Sequence, residues 1–100
     1  MKITDSTFDQ VIAENSLVLV DFWADWCGPC LKLSPILDEV SSETGLLIAK
    51  LHVDENPVKT QEYDVSTIPT MVLFKDGNPV NRITGAIPKH KLLKELSEWI

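Results

Sequence analysis

Two stretches of this chain are almost wholly apolar and lack the strict alternation of a half-exposed strand. The first runs from Leu17 to Trp23, and the second runs from Leu46 to Val53. Strands that are covered on both faces show this pattern, because neither side of the sheet meets water. A stretch of helical character lies between them, from about Pro29 to Glu43. This strand–helix–strand order predicts two parallel strands joined by a right-handed crossover.

The predicted central helix carries its apolar residues at the spacing of a single buried face. These residues are Leu33, Ile36, Leu37 and Val40. Gly45 is expected to end the helix, because glycine readily adopts the left-handed backbone of a helix C-cap. A short strand from Lys2 to Thr4 and a short helix are expected before the first apolar strand. Ser6 is the candidate N-cap of that helix, because its hydroxyl can accept a hydrogen bond from the first turn.

The second half of the chain predicts a hairpin between two helices. A short helix is expected from Asn56 to about Tyr63. Strands at 71–74 and 80–83 flank the segment Lys75–Pro79, which has the residue types of a turn. Pro88 suits the first turn of a last helix. The apolar stripe of that helix would consist of Leu92, Leu93, Leu96, Trp99 and Ile100. The predicted fold class is therefore α/β, with a mixed sheet that helices cover on both faces.

Composition then limits the classes of function. The 100 residues carry nine Lys and Arg against 15 Asp and Glu, which gives a net charge of −6. A chain of this length can form one domain with one core, so a single domain over residues 1–100 is expected. The acidic balance argues against a nucleic-acid partner, which would require a basic face. The longest apolar runs, such as Leu17 to Val20, are far shorter than the ~20 residues of a membrane span, so no membrane association is expected.

The two cysteines of the chain both lie in one tetrapeptide, Cys27-Gly28-Pro29-Cys30. A secreted mini-protein would instead spread several cysteines along the chain. The first residues also lack the apolar segment of a signal peptide, so a cytoplasmic location is expected. In that setting, a lone Cys-x-x-Cys motif is more often catalytic or metal-binding than structural.

The motif falls where a buried strand is predicted to pass into the first turn of a helix. Unpaired backbone N–H groups and the helix dipole stabilise an anion at that position. This placement is expected to lower the pKa of Cys27, whose thiolate would be the nucleophile. Cys30 follows one turn later and can close a disulfide with it. Pro29 stiffens the link without removing a helical hydrogen bond.

A zinc site is the competing interpretation of the motif. Zinc would need two further ligands, and the only histidines, His52 and His90, lie far apart and outside the usual paired spacing. Both histidines are more simply interpreted as surface residues. The strand–motif–helix context favours redox chemistry, and no metal is expected.

The octapeptide Trp23-Ala24-Asp25-Trp26-Cys27-Gly28-Pro29-Cys30 resembles the active-site signature of the thioredoxin family. Further segments resemble that family's other landmarks, in order and with similar spacing. They are Val20-Asp21-Phe22, Pro35-Ile36-Leu37, Ile68-Pro69-Thr70, Phe74-Lys75-Asp76-Gly77 and Gly85-Ala86. The resemblance covers essentially the whole chain. One departure is Leu31, because many relatives carry a basic residue directly after the second cysteine.

The resemblance implies a thioredoxin fold, in which a five-stranded mixed sheet is flanked by four helices. It also implies a dithiol–disulfide oxidoreductase that reduces disulfides of client proteins. No cofactor would be bound, since the redox group is the Cys27–Cys30 disulfide itself. A flavin- and NADPH-dependent thioredoxin reductase would recycle it, and we expect the protein to act as a monomer.

Residue roles follow from the same resemblance. Cys27 would attack a client disulfide, and Cys30 would resolve the mixed disulfide. Pro69 would follow a cis peptide bond opposite the cysteines, although most X-Pro bonds are trans. The residues expected to contact the client are Trp26, Gly28, Pro29, Ile68 and Pro69.

Asp21 is the one charged residue within the first apolar strand. A buried carboxylate is costly unless it is paired or protonated, so it is either a satisfied structural group or a functional one. The resemblance favours a proton acceptor for Cys30. Lys50, alone in the second apolar strand, is its possible partner, although its ammonium could instead extend to water.

Overall fold

The two apolar stretches form neighbouring strands at the centre of a five-stranded sheet. The computed structural model describes residues 1–100. Its elements are β1 (Lys2–Ile3), α1 (Phe8–Glu14), β2 (Leu17–Trp23), α2 (Gly28–Thr44), β3 (Leu47–His52), α3 (Pro57–Glu62), β4 (Thr70–Lys75), β5 (Asn78–Thr84) and α4 (Lys89–Leu96).

The sheet is mixed, as predicted, with the strand order β1-β3-β2-β4-β5. Strand β3 pairs in parallel with β1 and β2, whereas β4 pairs antiparallel with β2 and β5. The parallel register sets Asp21 of β2 directly beside Lys50 of β3. The two charged residues of the central strands are therefore lateral neighbours.

Helices cover both faces of the sheet. Leu19 points to the face that α2 and α4 cover, where it joins a core with Leu37 and Leu92. Val18 and Val20, on either side of Leu19 in β2, point to the opposite face and pack with Phe8 of α1. Because side chains alternate along a strand, Asp21 shares the α2 face with Leu19. None of the four helices has the length and apolar character that a membrane crossing requires.

Helix α2 matches its predicted bounds within one residue at each end. It terminates where Gly45 adopts a φ of 75° and donates its N–H to the Ser41 carbonyl oxygen. A left-handed residue is the usual device for ending a helix, and glycine adopts it without a Cβ penalty. The helix thus extends from Gly28, within the cysteine motif, to Thr44, with Pro35 inside it.

Three local predictions need correction. The N-cap of α1 is Thr7 rather than Ser6, and the Thr7 hydroxyl accepts a hydrogen bond from the Thr4 N–H at 2.9 Å. The hairpin turn is narrower than Lys75–Pro79, since only Asp76 and Gly77 lie between the paired strands, both with positive φ. Such two-residue turns match the twist of the strands. Helix α4 ends at Leu96, so the last two residues of the predicted stripe lie beyond it.

Candidate active site

The two cysteines lie at the start of α2. Cys27 is the N-cap of the helix, and its Sγ accepts a hydrogen bond from the Cys30 N–H at 3.2 Å. The residues form a disulfide with their Cα atoms 5.3 Å apart. An N–H group and the positive end of the helix dipole therefore act on the sulfur of Cys27, and both stabilise negative charge there.

The disulfide lies just below the protein surface and packs against an apolar side chain. Cys27 is 5% exposed and Cys30 is 2% exposed, and both pack with Ala24. Gly28 and Pro29, which form the link between the cysteines, are exposed. Trp26 is 67% exposed, and its Nε1 donates to Asp54 Oδ2 at 2.7 Å. The indole is therefore oriented by one hydrogen bond while most of its surface faces solvent.

The segment before β4 lies against the same sulfur. The Ile68–Pro69 peptide bond is cis, as expected, and the Ile68 carbonyl oxygen is 3.9 Å from Cys27 Sγ. Pro69 is buried, and its carbonyl oxygen accepts the Gly85 N–H at 2.8 Å. Ile68 stays partly exposed. The structure thus brings the predicted client-contacting residues to one end of the molecule around Cys27.

Asp21 is almost fully buried on the α2 face. It is 2% exposed, and its Oδ1 has no hydrogen-bond partner. Burial raises the pKa of Asp21 to about 6, and the positive charge of Lys50 partly opposes that rise. The carboxyl group can therefore exchange a proton near neutral pH.

Lys50 lies beside Asp21 in the register but is not bonded to it. Its ammonium donates to Ser34 Oγ of α2 at 2.5 Å. Neither Asp21 nor Lys50 takes part in any ion pair of the structure. Ser34 was not singled out from the sequence. Its position one turn after Cys30, on a helix already expected to cover this strand, is the signal that could have found it.

His52 is not the surface residue that the sequence suggested. Its side chain is only 14% exposed, and Nε2 lies 2.8 Å from Asp25 Oδ1. The ring meets Trp23 edge-on at 5.2 Å between centroids, and Nδ1 is buried without a partner. The hydrogen bond with His52 lowers the pKa of Asp25. Alternation along β3 places His52 on the same face as Lys50, and this alternation is the signal that could have predicted its burial.

His90 is exposed, as expected. No three side chains of His, Cys, Asp or Glu converge on a position that could hold a metal ion. The chemistry visible at this end of the molecule is that of a disulfide at a helix N-terminus, with an unpaired carboxyl group on the neighbouring strand.

Comparison with known proteins gives consistent matches. The family model described as thioredoxin matches residues 1–98. A thioredoxin from Mycobacterium tuberculosis is 52% identical over 103 residues, and the match covers all of this chain and 89% of that protein. A bifunctional thioredoxin reductase/thioredoxin from Mycobacterium leprae is 50% identical over 103 residues, which cover all of this chain and 22% of that longer protein.

A solved structure supports the same assignment. A mutant thioredoxin from Halobacterium salinarum NRC-1 superposes with a TM-score of 0.90 at 36% sequence identity. The match covers 97% of this chain and 88% of that chain. The whole chain, its sheet order and its cysteine pair thus agree with one family. The chain belongs to the thioredoxin family and is a dithiol–disulfide oxidoreductase.

Proposed function

We propose that the protein reduces disulfides of client proteins, with Cys27 as the nucleophile and Cys30 as the resolving thiol. The observation that carries this assignment is the hydrogen bond from the Cys30 N–H to Cys27 Sγ at the N-terminus of α2. It stabilises a thiolate on Cys27 in the reduced protein. Cys30 lies deeper, so it is suited to attack only after Cys27 has reacted.

The exchange proceeds in two balanced steps. The Cys27 thiolate attacks one sulfur of the client disulfide, forms a mixed disulfide and releases the other client sulfur as a thiolate. Cys30 then loses its proton and attacks Cys27 Sγ, which releases the second client sulfur. The client gains two electrons, and the protein is left with the Cys27–Cys30 disulfide as its only redox group.

Asp21 is proposed as the acceptor of the Cys30 proton. A general base is most effective when its pKa lies near the working pH, and that of Asp21 is raised to about 6. Its Oδ1 is free of other hydrogen bonds, so an acceptor position is open. Lys50 would stabilise the carboxylate through its charge.

The client is proposed to dock on the exposed surface around Cys27. Trp26 and Ile68 supply apolar contact area, while Gly28, Pro29 and Pro69 shape the backbone beside the sulfur. Leu31 is 52% exposed in the first turn of α2. It extends this apolar surface where many relatives would carry a positive charge.

A thioredoxin reductase is the proposed electron donor. The Mycobacterium leprae relative is described as both enzymes in one chain, which supports such a pairing for a protein 50% identical to its thioredoxin part. We further propose a cytoplasmic monomer with no nucleic-acid partner, in keeping with the acidic charge of −6.

The function is tested by reducing a model protein disulfide with thioredoxin reductase and NADPH. The parent should support continuous NADPH consumption, whereas Cys27→Ser and Cys30→Ser should support none. Only Cys30→Ser should accumulate a mixed disulfide with the client, because its first attack is intact. An adduct on Cys27→Ser instead would reverse the assigned order.

The order of the thiols has a second test in the reduced protein. A small alkylating agent near neutral pH should modify Cys27 well before Cys30, because only Cys27 receives the helix N-terminal hydrogen bond. Peptide mapping by mass spectrometry would read this directly. Equal labelling of the two sulfurs would contradict the assignment.

A further inference from the structure

The Lys50 ammonium is held by a helix rather than by the neighbouring carboxyl group. It donates to Ser34 Oγ, and Asp21 Oδ1 remains without a partner. Ser34 is partly buried in α2, one turn after Cys30. The contact therefore joins the strand that carries Lys50 to the helix that carries the resolving cysteine.

An alternative environment for the ammonium lies close by. Lys50 lines a cavity of about 560 Å³ at the edge of the sheet. Three carboxylate side chains, those of Asp25, Asp38 and Glu55, line the same cavity. Water and negative charge would attract a lysine ammonium there, because a long flexible side chain extends readily to solvent. A specific contact is needed to hold Lys50 on the α2 side.

We propose that Ser34 is a positioning residue for the reaction, because its hydroxyl holds the Lys50 ammonium on the α2 face, where the ammonium stabilises the carboxylate of Asp21. Ser34 does not touch the reacting sulfurs in this role. It acts through Lys50 and sets how easily Asp21 takes up and releases a proton. The inference rests on the proposed role of Asp21 as proton acceptor, although its structural part can be measured independently.

Few other charges act on this contact. Lys50 is the one charged group that shifts the titration of Asp21. On α2, the cysteines and Ser34 are uncharged in the oxidised protein, whereas Asp38 of the same helix lines the cavity. On the cavity side, Lys2 and His52 accompany the three carboxylates. Ser34 therefore determines whether the Lys50 ammonium stays near the buried Asp21 or moves into the acidic cavity.

The direct test is a titration of the Asp21 side-chain carboxyl carbon by NMR in the oxidised protein, parent against Ser34→Ala. Loss of the hydroxyl should let the ammonium move to the cavity. The Asp21 titration midpoint should then rise by about half a unit or more, so that the carboxylate fraction at pH 6 falls about twofold. A falling midpoint would mean that Ser34 holds Lys50 away from Asp21, and an unchanged midpoint would mean that it positions nothing. Either result would overturn the proposal.

Two control variants separate positioning from general damage to the helix. Ser42→Ala alters an exposed serine of the same helix and should leave the Asp21 midpoint unchanged. Ser34→Thr keeps a hydroxyl and should restore most of the parent midpoint. In a Lys50→Met background, Ser34→Ala should cause no further shift, because the charge that it positions is gone. A full shift in that background would contradict action through Lys50.

The consequence for the reaction is measured separately. The rate at which Cys30 resolves a preformed mixed disulfide should fall about twofold at pH 6 in Ser34→Ala and recover as the pH rises. A shifted NMR midpoint with an unchanged rate profile would preserve the positioning role and contradict only Asp21 as the base. An unchanged midpoint would overturn the positioning role whatever the rate does.

Discussion

Two charged side chains are buried in this molecule, and they differ in their hydrogen-bond and ion-pair partners. Lys59 is 6% exposed on the face of α1 and α3, and Asp21 is 2% exposed on the face of α2. The Lys59 ammonium bonds Asp9 at 2.9 Å and Glu62 at 3.0 Å. Asp21 has a free Oδ1 and no ion pair. The first arrangement is that of a structural group, whereas the second leaves a group free to exchange a proton.

The pKa shifts express the same contrast. The pKa of Lys59 is raised mainly by its hydrogen bond with Asp9, so the native contacts favour its charged form. The pKa of Asp21 is raised mainly by burial, so the native surroundings disfavour its charged form. At neutral pH the fold therefore gains from Lys59 and loses from Asp21. A buried charge that costs stability is typical of functional sites.

The largest expected effect is that of Asp21→Asn. The unfolded pKa of Asp21 is 3.8 and the folded value is about 6. A raised pKa contributes stability that is present below the unfolded value and fades as pH rises through the folded value. At pH 7 the parent thus carries a penalty that Asn lacks, which at 1.36 kcal/mol per unit is about 3 kcal/mol. Denaturant melts at pH 3 and pH 7 should show the variant gaining this stability only at the higher pH.

The same variant should be a poorer catalyst. Asn cannot accept the Cys30 proton, and a general base typically contributes about 10²- to 10⁴-fold in rate, so resolution about 10²-fold slower or more is expected. Stopped-flow resolution of a mixed disulfide would measure it. Equal stability at pH 7 together with an unchanged rate would mean that Asp21 is neither a penalised charge nor the base.

Lys59→Met is the matched change on the opposite face and should have a smaller effect of the other sign. Methionine keeps the apolar stem against Phe8, while the two acidic partners are 83% and 49% exposed and can rehydrate. The expected loss is about 1 kcal/mol or less at pH 7, with the disulfide-reduction rate unchanged. A rate loss comparable with that of Asp21→Asn would remove the distinction between the two faces.

The pH dependence of Lys59→Met sharpens the contrast further. Because the folded pKa of Lys59 is raised, its contribution is present below the unfolded pKa and is lost as pH rises through the folded value. The difference between parent and variant in denaturation midpoint should therefore shrink only in alkaline solution. The Asp21→Asn difference should instead change between about pH 4 and pH 7. Coincident pH dependence would show that the two charges are not independent.

The burial of Asp21 could be predicted from the sequence, whereas the burial of Lys59 could not. Asp21 interrupts a run of apolar residues that had to form a central strand, so its burial followed from pattern alone. Lys59 lies in a short helix among polar residues, and it is buried only because α1 brings Phe8 and Asp9 against it. Contacts between elements distant in the chain cannot be deduced from local periodicity.

The same limit explains the rest of the site. The cysteine motif and the position of Pro69 carry local signals, and both lie where they were expected. The bond between Ser34 and Lys50 and the pair of His52 with Asp25 depend on how α2 and the active-site loop meet the end of β3. Register and side-chain reach decide those contacts. A resemblance to a family supplies the fold but not the residues peculiar to this chain.

The smallest expected effect concerns an exposed charge, which lies outside the contrast between the buried ones. Asp25 pairs with His52, and that hydrogen bond lowers its pKa. A lowered pKa contributes stability that is present above the unfolded value and is lost as pH falls through the folded value. Asp25→Asn should therefore reduce the denaturation midpoint slightly at pH 7. It should not reduce it at low pH, where the Asp25 carboxyl group is neutral in both the folded and the unfolded protein. Because Asp25 is 76% exposed, solvent screening should keep the change far below that of Asp21→Asn. Parallel denaturant melts of Asp25→Asn and Asp21→Asn at pH 3 and pH 7 would compare the sizes of the two effects. A larger effect for Asp25→Asn would show that its pair with His52, rather than the buried carboxyl group, dominates the electrostatics of this end of the molecule.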